Sequence, residues 1–305
     1  MVTQVTQKIQ AQTDYHSKGA FAPFFFMQTD IFKAHTQEKM KKYFAECKVD
    51  FRKKLDYPPT ALSLGSMVLQ SSNDKSVVPI PIGTYGNFSM IVAPPKTKKS
   101  FFVSILVSAF LAGRNSYCGD IRGHREDRSI LHLDTEQGQW HCQRVFKRAN
   151  DMANVEHSEK YHTFGLRTIS YKERIEFIEY CLKEKYKDIG LIVIDGIADL
   201  VSDVNDIEQS NDCVQKLMEW SANYNCHIIT VIHSNFGTNK ATGHLGSFLM
   251  KKTETEIHLE TNDVNNSLIN VSCKRSRGYS FSPFTFKVNN YGYPEVIQPY
   301  EDHNA

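Results

Sequence analysis

From residue 87 onward the chain alternates short, almost purely apolar runs with longer amphipathic ones. Asn87–Ala93, Ile130–Asp134, Ile189–Asp195 and His227–His233 read as strands. Runs this apolar fit parallel strands buried on both faces. Between them lie helical patterns: Ser100–Gly113, closed by its glycine, Gln139–Met152 and Asn211–Asn223. Ser170-Tyr171-Lys172-Glu173 has capping-box spacing, and opens a helix with Tyr171, Ile175, Ile178 and Leu182 on one face. After Lys252 the texture changes to strict alternation, in Glu256–Glu260, Leu268–Lys274 and Phe284–Val288, which predicts antiparallel strands at one sheet edge. The order predicts an α/β fold, a mostly parallel sheet flanked by helices, with ligands at the carboxyl ends of the strands.

Residues 1–80 have a different texture and are expected to form a small helical N-terminal extension, an oligomerisation or partner arm, ahead of a main domain over 81–305. Asp30–Leu55 is charged, with Ile31, Ala34, Met40, Tyr43, Phe44, Cys47, Phe51 and Leu55 near helical spacing, and Tyr57-Pro58-Pro59 stops the pattern. The apolar stretch Ala20–Gln28 reads either as packing on its own domain or as an arm docked on a neighbouring subunit.

Composition narrows the class without naming a partner. The 305 residues are 41% hydrophobic and 11% aromatic, a globular balance, and the formal net charge is +2, so any nucleic-acid role must rest on local patches. Seven cysteines occur without a C-x-x-C pair, which points to reduced thiols, and His132, His141 and Cys142 lack a metal-ligand spacing. No apolar run approaches a membrane span. The expected location is cytoplasmic, in a bacterial, plasmid, mobile-element or phage context, with no membrane partner.

The candidate chemistry begins at "APPKTKKS", residues 93–100, between two apolar runs. It follows a strand and opens a helix, where successive N–H groups converge on an anion. Against the phosphate-loop pattern G-x-x-x-x-G-K-[ST], Ala93 and Lys98 replace the glycines while Lys99 and Ser100 fit. Pro95, Lys96, Thr97, Lys98, Lys99, Ser100 and Phe101 are the expected nucleotide contacts, with Lys99 on the β- and γ-phosphates and Ser100 on Mg²⁺. Pro94-Pro95 would stiffen the turn, and Lys96 and Lys98 would add charge where backbone approach is reduced. Asp195, ending the buried run "IVIDGIADL" (192–200), is a costly carboxylate unless it binds something, and is expected to orient Mg²⁺. Glu136, in "LHLDTEQ" (131–137), is placed to polarise an attacking water.

Together these segments resemble the RecA-like ATPase core, in particular hexameric replicative helicases of the DnaB and plasmid RepA type, over roughly residues 80–290. The variant loop resembles those of ATPases of mobile elements and phages. The resemblance implies a RecA-like domain, ATP and Mg²⁺ as cofactors, and further roles. "VIHSN" (231–235) resembles the strand whose polar end senses the γ-phosphate, which implies His233 and Asn235. "GHLGSFLMKKTETEIHLE" (243–260) resembles the segment that touches DNA. "CKRSRGYSF" (273–281) resembles the hairpin that reaches a neighbour's ATP, which implies Arg275 and Arg277 as catalytic groups acting in trans.

The leading expectation is an ATP-hydrolysing motor on single-stranded DNA, a helicase or a replication or mobilisation ATPase. Its partners would be DNA, copies of itself in a hexameric ring, and replication or mobilisation proteins. A loop from Ser234 to Lys252, made mobile by Gly237, Gly243 and Gly246, would line the channel with Lys240, His244, Lys251 and Lys252 on phosphates. The alternative is a nucleotide-gated DNA- or partner-binding protein that barely hydrolyses ATP. A filament-forming recombinase is disfavoured, because no polymerisation motif stands out.

Overall fold

The computed structural model describes residues 36–71, 74–113, 120–155, 158–235 and 240–299. The Ala20–Gln28 stretch and Gly237 lie outside them. The chain divides into two compact units, Met1–Tyr57 and Pro58–Ala305. The division between them falls at the Tyr57-Pro58-Pro59 stop.

In the first unit, helix α1 spans residues 36–46. It ends earlier than the periodicity predicts, and the Asp50 carboxylate accepts from both the backbone N–H and the Nε of Arg52 in a tight turn. Local side-chain bonds of this kind compete with helix continuation.

The second unit opens with strands the sequence pattern did not reveal. β1 (Thr60–Ser71) and β2 (Asp74–Thr84) pair antiparallel, and β4 (Ile121–Gly123) completes a three-stranded sheet in the order β2-β1-β4. Pro79 and Pro81 argue against a strand, yet among the described residues β2 is an edge strand of its sheet, where a missing N–H is tolerated.

Among the described residues the main sheet has nine strands. They are β3 (Phe88–Ala93), β5 (Ser129–Asp134), β6 (Tyr161–Gly165), β7 (Ile189–Asp195), β8 (His227–His233), β9 (Thr255–Thr261), β10 (Leu268–Ser276), β11 (Phe284–Val288) and β12 (Pro294–Pro299). Their order is β12-β11-β10-β9-β3-β8-β7-β5-β6. The six strands from β9 to β6 run parallel, and β10 to β12 continue antiparallel. Every residue of β3, β5 and β7 is buried, as their apolar runs require.

Helices α2 (Lys99–Ala112), α3 (Gln139–Ala153), α4 (Tyr171–Tyr180), α5 (Ile207–Asn223) and α6 (Gly243–Lys252) flank the sheet. α2 is apolar on every side and buried from Phe102 to Leu111. Its Ser104 and Ser108 hydroxyls donate back to the carbonyls of Ser100 and Ile105, so neither of these two buried hydroxyls is left unpaired. α4 carries the predicted reciprocal cap between Ser170 and Glu173. One core, containing Phe102, Phe110, Val193 and Phe286, lies on the α2 face. A second, containing Met90, Ile192, Leu217 and Leu249, lies on the other face. No helix among the described residues is long and apolar enough to cross a membrane.

The segment expected as a mobile loop, Ser234–Lys252, is helical from Gly243 onward, with Leu245 and Leu249 buried. Gly243 supplies a backbone turn rather than mobility. It sits at φ 68°, and a Cβ there would lie 2.7 Å from the carbonyl oxygen of Val204.

Candidate nucleotide site

Four neighbouring parallel strands, β3, β8, β7 and β5, end together, and the chemistry gathers above them. Leaving β3, the chain passes through Pro94–Lys98 into α2. The Thr97 hydroxyl donates to the Pro94 carbonyl at 2.6 Å and closes the turn. Lys96 (φ 68°) and Lys98 (φ 58°) both occupy the left-handed region. Lys98, at the second glycine position of the motif, is also the residue from which α2 starts. The backbone therefore takes a glycine-like conformation without glycine, at about 1–2 kcal/mol per residue.

Lys99 projects from the first turn of α2. Its ammonium lies 3.2 Å from Nδ1 of His233, whose Nε2 is 3.3 Å from the Glu136 carboxylate. The His233 bond holds Glu136 below its ordinary carboxylate value, while burial lowers Lys99. Ser100 donates to Asp195 at 3.2 Å. Asp195 is 5% exposed and is pushed up to about 7 by burial first, then by the charges of Asp134 and Glu136. Lys99 and the Ser100 bond oppose that shift without cancelling it.

Two residues not singled out in the sequence build this arrangement. Asp134 caps the turn after β5: one carboxylate oxygen accepts from the backbone N–H groups of Glu136 and Gln137, the other from the Gln137 amide at 2.7 Å. The signal was an acid ending a buried strand two residues before Glu136. Gly196, at φ 106°, is the second. A Cβ there would stand 2.2 Å from the Thr135 hydroxyl and 2.9 Å from Glu136 Cγ, so any other residue would displace the glutamate's turn.

A cavity of about 420 Å³ opens over these groups, lined by Lys96, Lys98, Lys99, Ser100, Phe101, Glu136 and Asp195 and extended by His141, Arg144 and Arg148 of α3. Its cations outnumber its carboxylates, as a polyanion requires. A buried carboxylate left uncompensated beside a serine hydroxyl is an oxygen donor set suited to Mg²⁺. Ser100 and Asp195 would hold that ion, which supplies charge neutralisation at the phosphates. Lys96, Lys98, Lys99 and the α2 N-terminus would hold the phosphate chain.

The other expected residues are dispersed. Asn235 is exposed, its backbone N–H bonded to the carbonyl of Lys240. Arg275 lies 3.6 Å from the buried Glu256, and Arg277 donates to the Lys252 carbonyl at 2.7 Å. Since Arg275 pairs with Glu256, and Glu256 with Met90, both arginines sit toward the start of the parallel strands. The phosphate loop follows the other end of β3, ~10 Å further along the strand. They are on the wrong flank to serve this chain's own cavity. Lys240 and His244 lie near the beginning of α6 and Lys251 and Lys252 at its end, so the four do not form one cluster. His244 and Lys252 are ~12 Å apart along the axis.

Of the comparisons with known proteins, the family match agrees with a nucleotide-binding architecture. No curated protein matches the sequence. Among solved structures, the chain is similar to the one described as "Crystal structure of the RadB recombinase", at 15% identity and a TM-score of 0.48, covering 70% of this chain and 92% of that chain. A family model described as "AAA domain" matches residues 73–239, more than half of the sequence and the whole stretch from β2 through the phosphate loop to the end of β8. The chain therefore belongs to the AAA domain family.

Proposed function

We propose that this protein is an ATP-hydrolysing oligomeric motor on single-stranded DNA, of the hexameric DnaB and RepA helicase type. The observation that carries the reading is the convergence of Lys99, Ser100, Asp195, Glu136 and His233 over adjacent strand ends. In this reading Lys99 and the α2 N-terminus bind phosphates, Ser100 and Asp195 hold Mg²⁺, and Glu136 orients the attacking water. His233 connects the phosphate-binding lysine to that glutamate, so Lys99 must exchange His233 for phosphate when nucleotide binds.

The placement of Arg275 and Arg277 away from this cavity supports an active site completed by a neighbour, hence a ring. Lys240 and His244, beyond β8 on the segment that begins at His233, are the basic groups best placed to follow DNA as nucleotide state changes. Lys251 and Lys252, at the far end of α6, would meet a second stretch of the strand or another subunit. The test is ATP turnover with and without single-stranded oligonucleotide, followed by strand displacement on a forked duplex. DNA-stimulated turnover with displacement fits a helicase. DNA-dependent turnover without displacement fits a mobilisation ATPase. Binding without turnover in either condition overturns the motor in favour of a nucleotide-gated binding protein.

A further inference from the structure

Arg148 belongs to none of the motifs above, yet it occupies an unusual position. It projects from α3 onto the flank of α2, where its Nε donates to the Ser104 hydroxyl and its Nη2 to the Ser100 carbonyl, both at 3.0 Å. The guanidinium lies 3.8 Å from the centre of the Phe101 ring and lines the cavity. It is half-buried, and among the described residues no carboxylate forms an ion pair with it. Burial and the nearby Arg144 charge pull it down to about 10. A desolvated guanidinium without an acid is expensive unless an anion arrives. The positions of its contacts say which part of the ligand it meets. Glu136, His233 and Lys99 mark the end of the cavity where chemistry would occur, whereas Arg148 lies past Ser100, beside Phe101 and ~13 Å along α3 from that helix's start.

We propose that Arg148 is a nucleotide-binding residue that contacts the non-transferred portion of a nucleoside di- or triphosphate while locking the first turn of α2. The proposal rests on reading the cavity as a nucleotide site. One hydrogen-bonding edge of the guanidinium holds Ser100 and Ser104 in place. Its remaining N–H donors present charge to the ligand, and the Phe101 ring supports one face of the group. Such a group binds ground state and transition state alike, so its removal should raise KM with little change in kcat.

The test compares wild type, Arg148→Met and Arg148→Lys in the full chain. Methionine keeps the apolar stem and discards the charge, while lysine keeps the charge and discards the planar fork. Arg148→Met should weaken Mg·ADP binding by at least about tenfold and raise KM for ATP by a similar factor, with kcat within about threefold of wild type. Without nucleotide its melting temperature should stay within about 3 °C of wild type, because removing a desolvated charge offsets the loss of the two bonds to α2. Arg148→Lys should fall between the two in affinity. An unchanged affinity for Mg·ADP in Arg148→Met would overturn the assignment. So would a lower melting temperature of the nucleotide-free variant with normal affinity, which marks a purely structural residue, or a fall in kcat at constant KM. Lys99→Ala separates the two levels of inference. If wild type binds Mg·ADP and Lys99→Ala does not, the cavity is confirmed and the Arg148 result stands on its own. If wild type binds no nucleotide, both ideas fall.

Discussion

Replacing Asp195 by Asn should stabilise the nucleotide-free protein at neutral and alkaline pH and do nothing near pH 4. In the folded chain this carboxyl is raised from 3.8 to about 7, first by burial and then by Asp134 and Glu136. A raised acid means that the folded state holds a proton the unfolded chain has already released. Between pH 4 and 7 the native state therefore binds more protons, and stability falls as pH rises. Below pH 4 both states are protonated and the penalty vanishes; above pH 7 it is complete and constant. At 1.36 kcal/mol per unit the interval corresponds to about 4 kcal/mol. Asparagine has nearly the same shape, and its side-chain oxygen can still accept from Ser100, but it carries no charge. Thermal melts of wild type and Asp195→Asn from pH 4 to 8.5 should coincide at the acid end and separate to about 10 °C at pH 8. Adding Mg²⁺ and ATP should close the gap by stabilising wild type more, since a cation neutralises the charge that burial disfavours. A variant less stable than wild type at pH 8, or a gap that does not change with pH, would refute this account of the site.

Other perturbations address the remaining links. Lys99→Ala should abolish nucleotide binding or turnover, measured as Mg·ADP affinity and phosphate release; normal turnover would remove the phosphate loop from this stretch. Lys98→Gly exchanges the left-handed strain of a lysine for the entropy of glycine, terms of about 1 kcal/mol each, so melting should shift by less than about 3 °C and turnover should persist. A collapse of activity would instead assign Lys98 a contact of its own. Glu136→Gln should retain ATP binding and slow hydrolysis by at least about 100-fold in single-turnover assays. Arg277→Ala should bind nucleotide normally and hydrolyse it poorly, yet regain activity when mixed with Glu136→Gln, because mixed assemblies contain interfaces with both groups intact. A fully active monomeric Arg277→Ala would refute the trans-acting arginine.

The elements legible from sequence were those whose environment is the same on every side. Ile189–Asp195 and His227–His233 are enclosed within a parallel sheet, so an unbroken apolar run was sufficient, and their bounds agree with the structure. The cap on α4 was legible because Ser170 and Glu173 satisfy each other locally. β1 and β2 were not, because an edge position tolerates the prolines that usually exclude a strand. α6 was missed because its glycines suggested mobility, whereas Gly243 is required by the close approach of Val204.

The site divides along the same line. Lys99, Ser100, Glu136 and Asp195 could be named from strand ends and loop position, since those positions face ligands wherever parallel strands stop. What they do to one another depends on distances no pattern contains. Only the tertiary structure joins Lys99 through His233 to Glu136, residues far apart in the chain. It also gathers Asp134, Glu136 and Asp195 closely enough to raise one of them, and carries Arg275 and Arg277 to the far flank. The loop that lacks its glycines illustrates the division best. Sequence alone placed a basic turn between a strand and a helix; the fold makes Lys96 and Lys98 adopt the left-handed backbone that glycine would have taken. The order of apolar and polar residues marks which segments are buried, but charge and strain arise between groups, and it is the packing of the whole sheet that sets which groups meet.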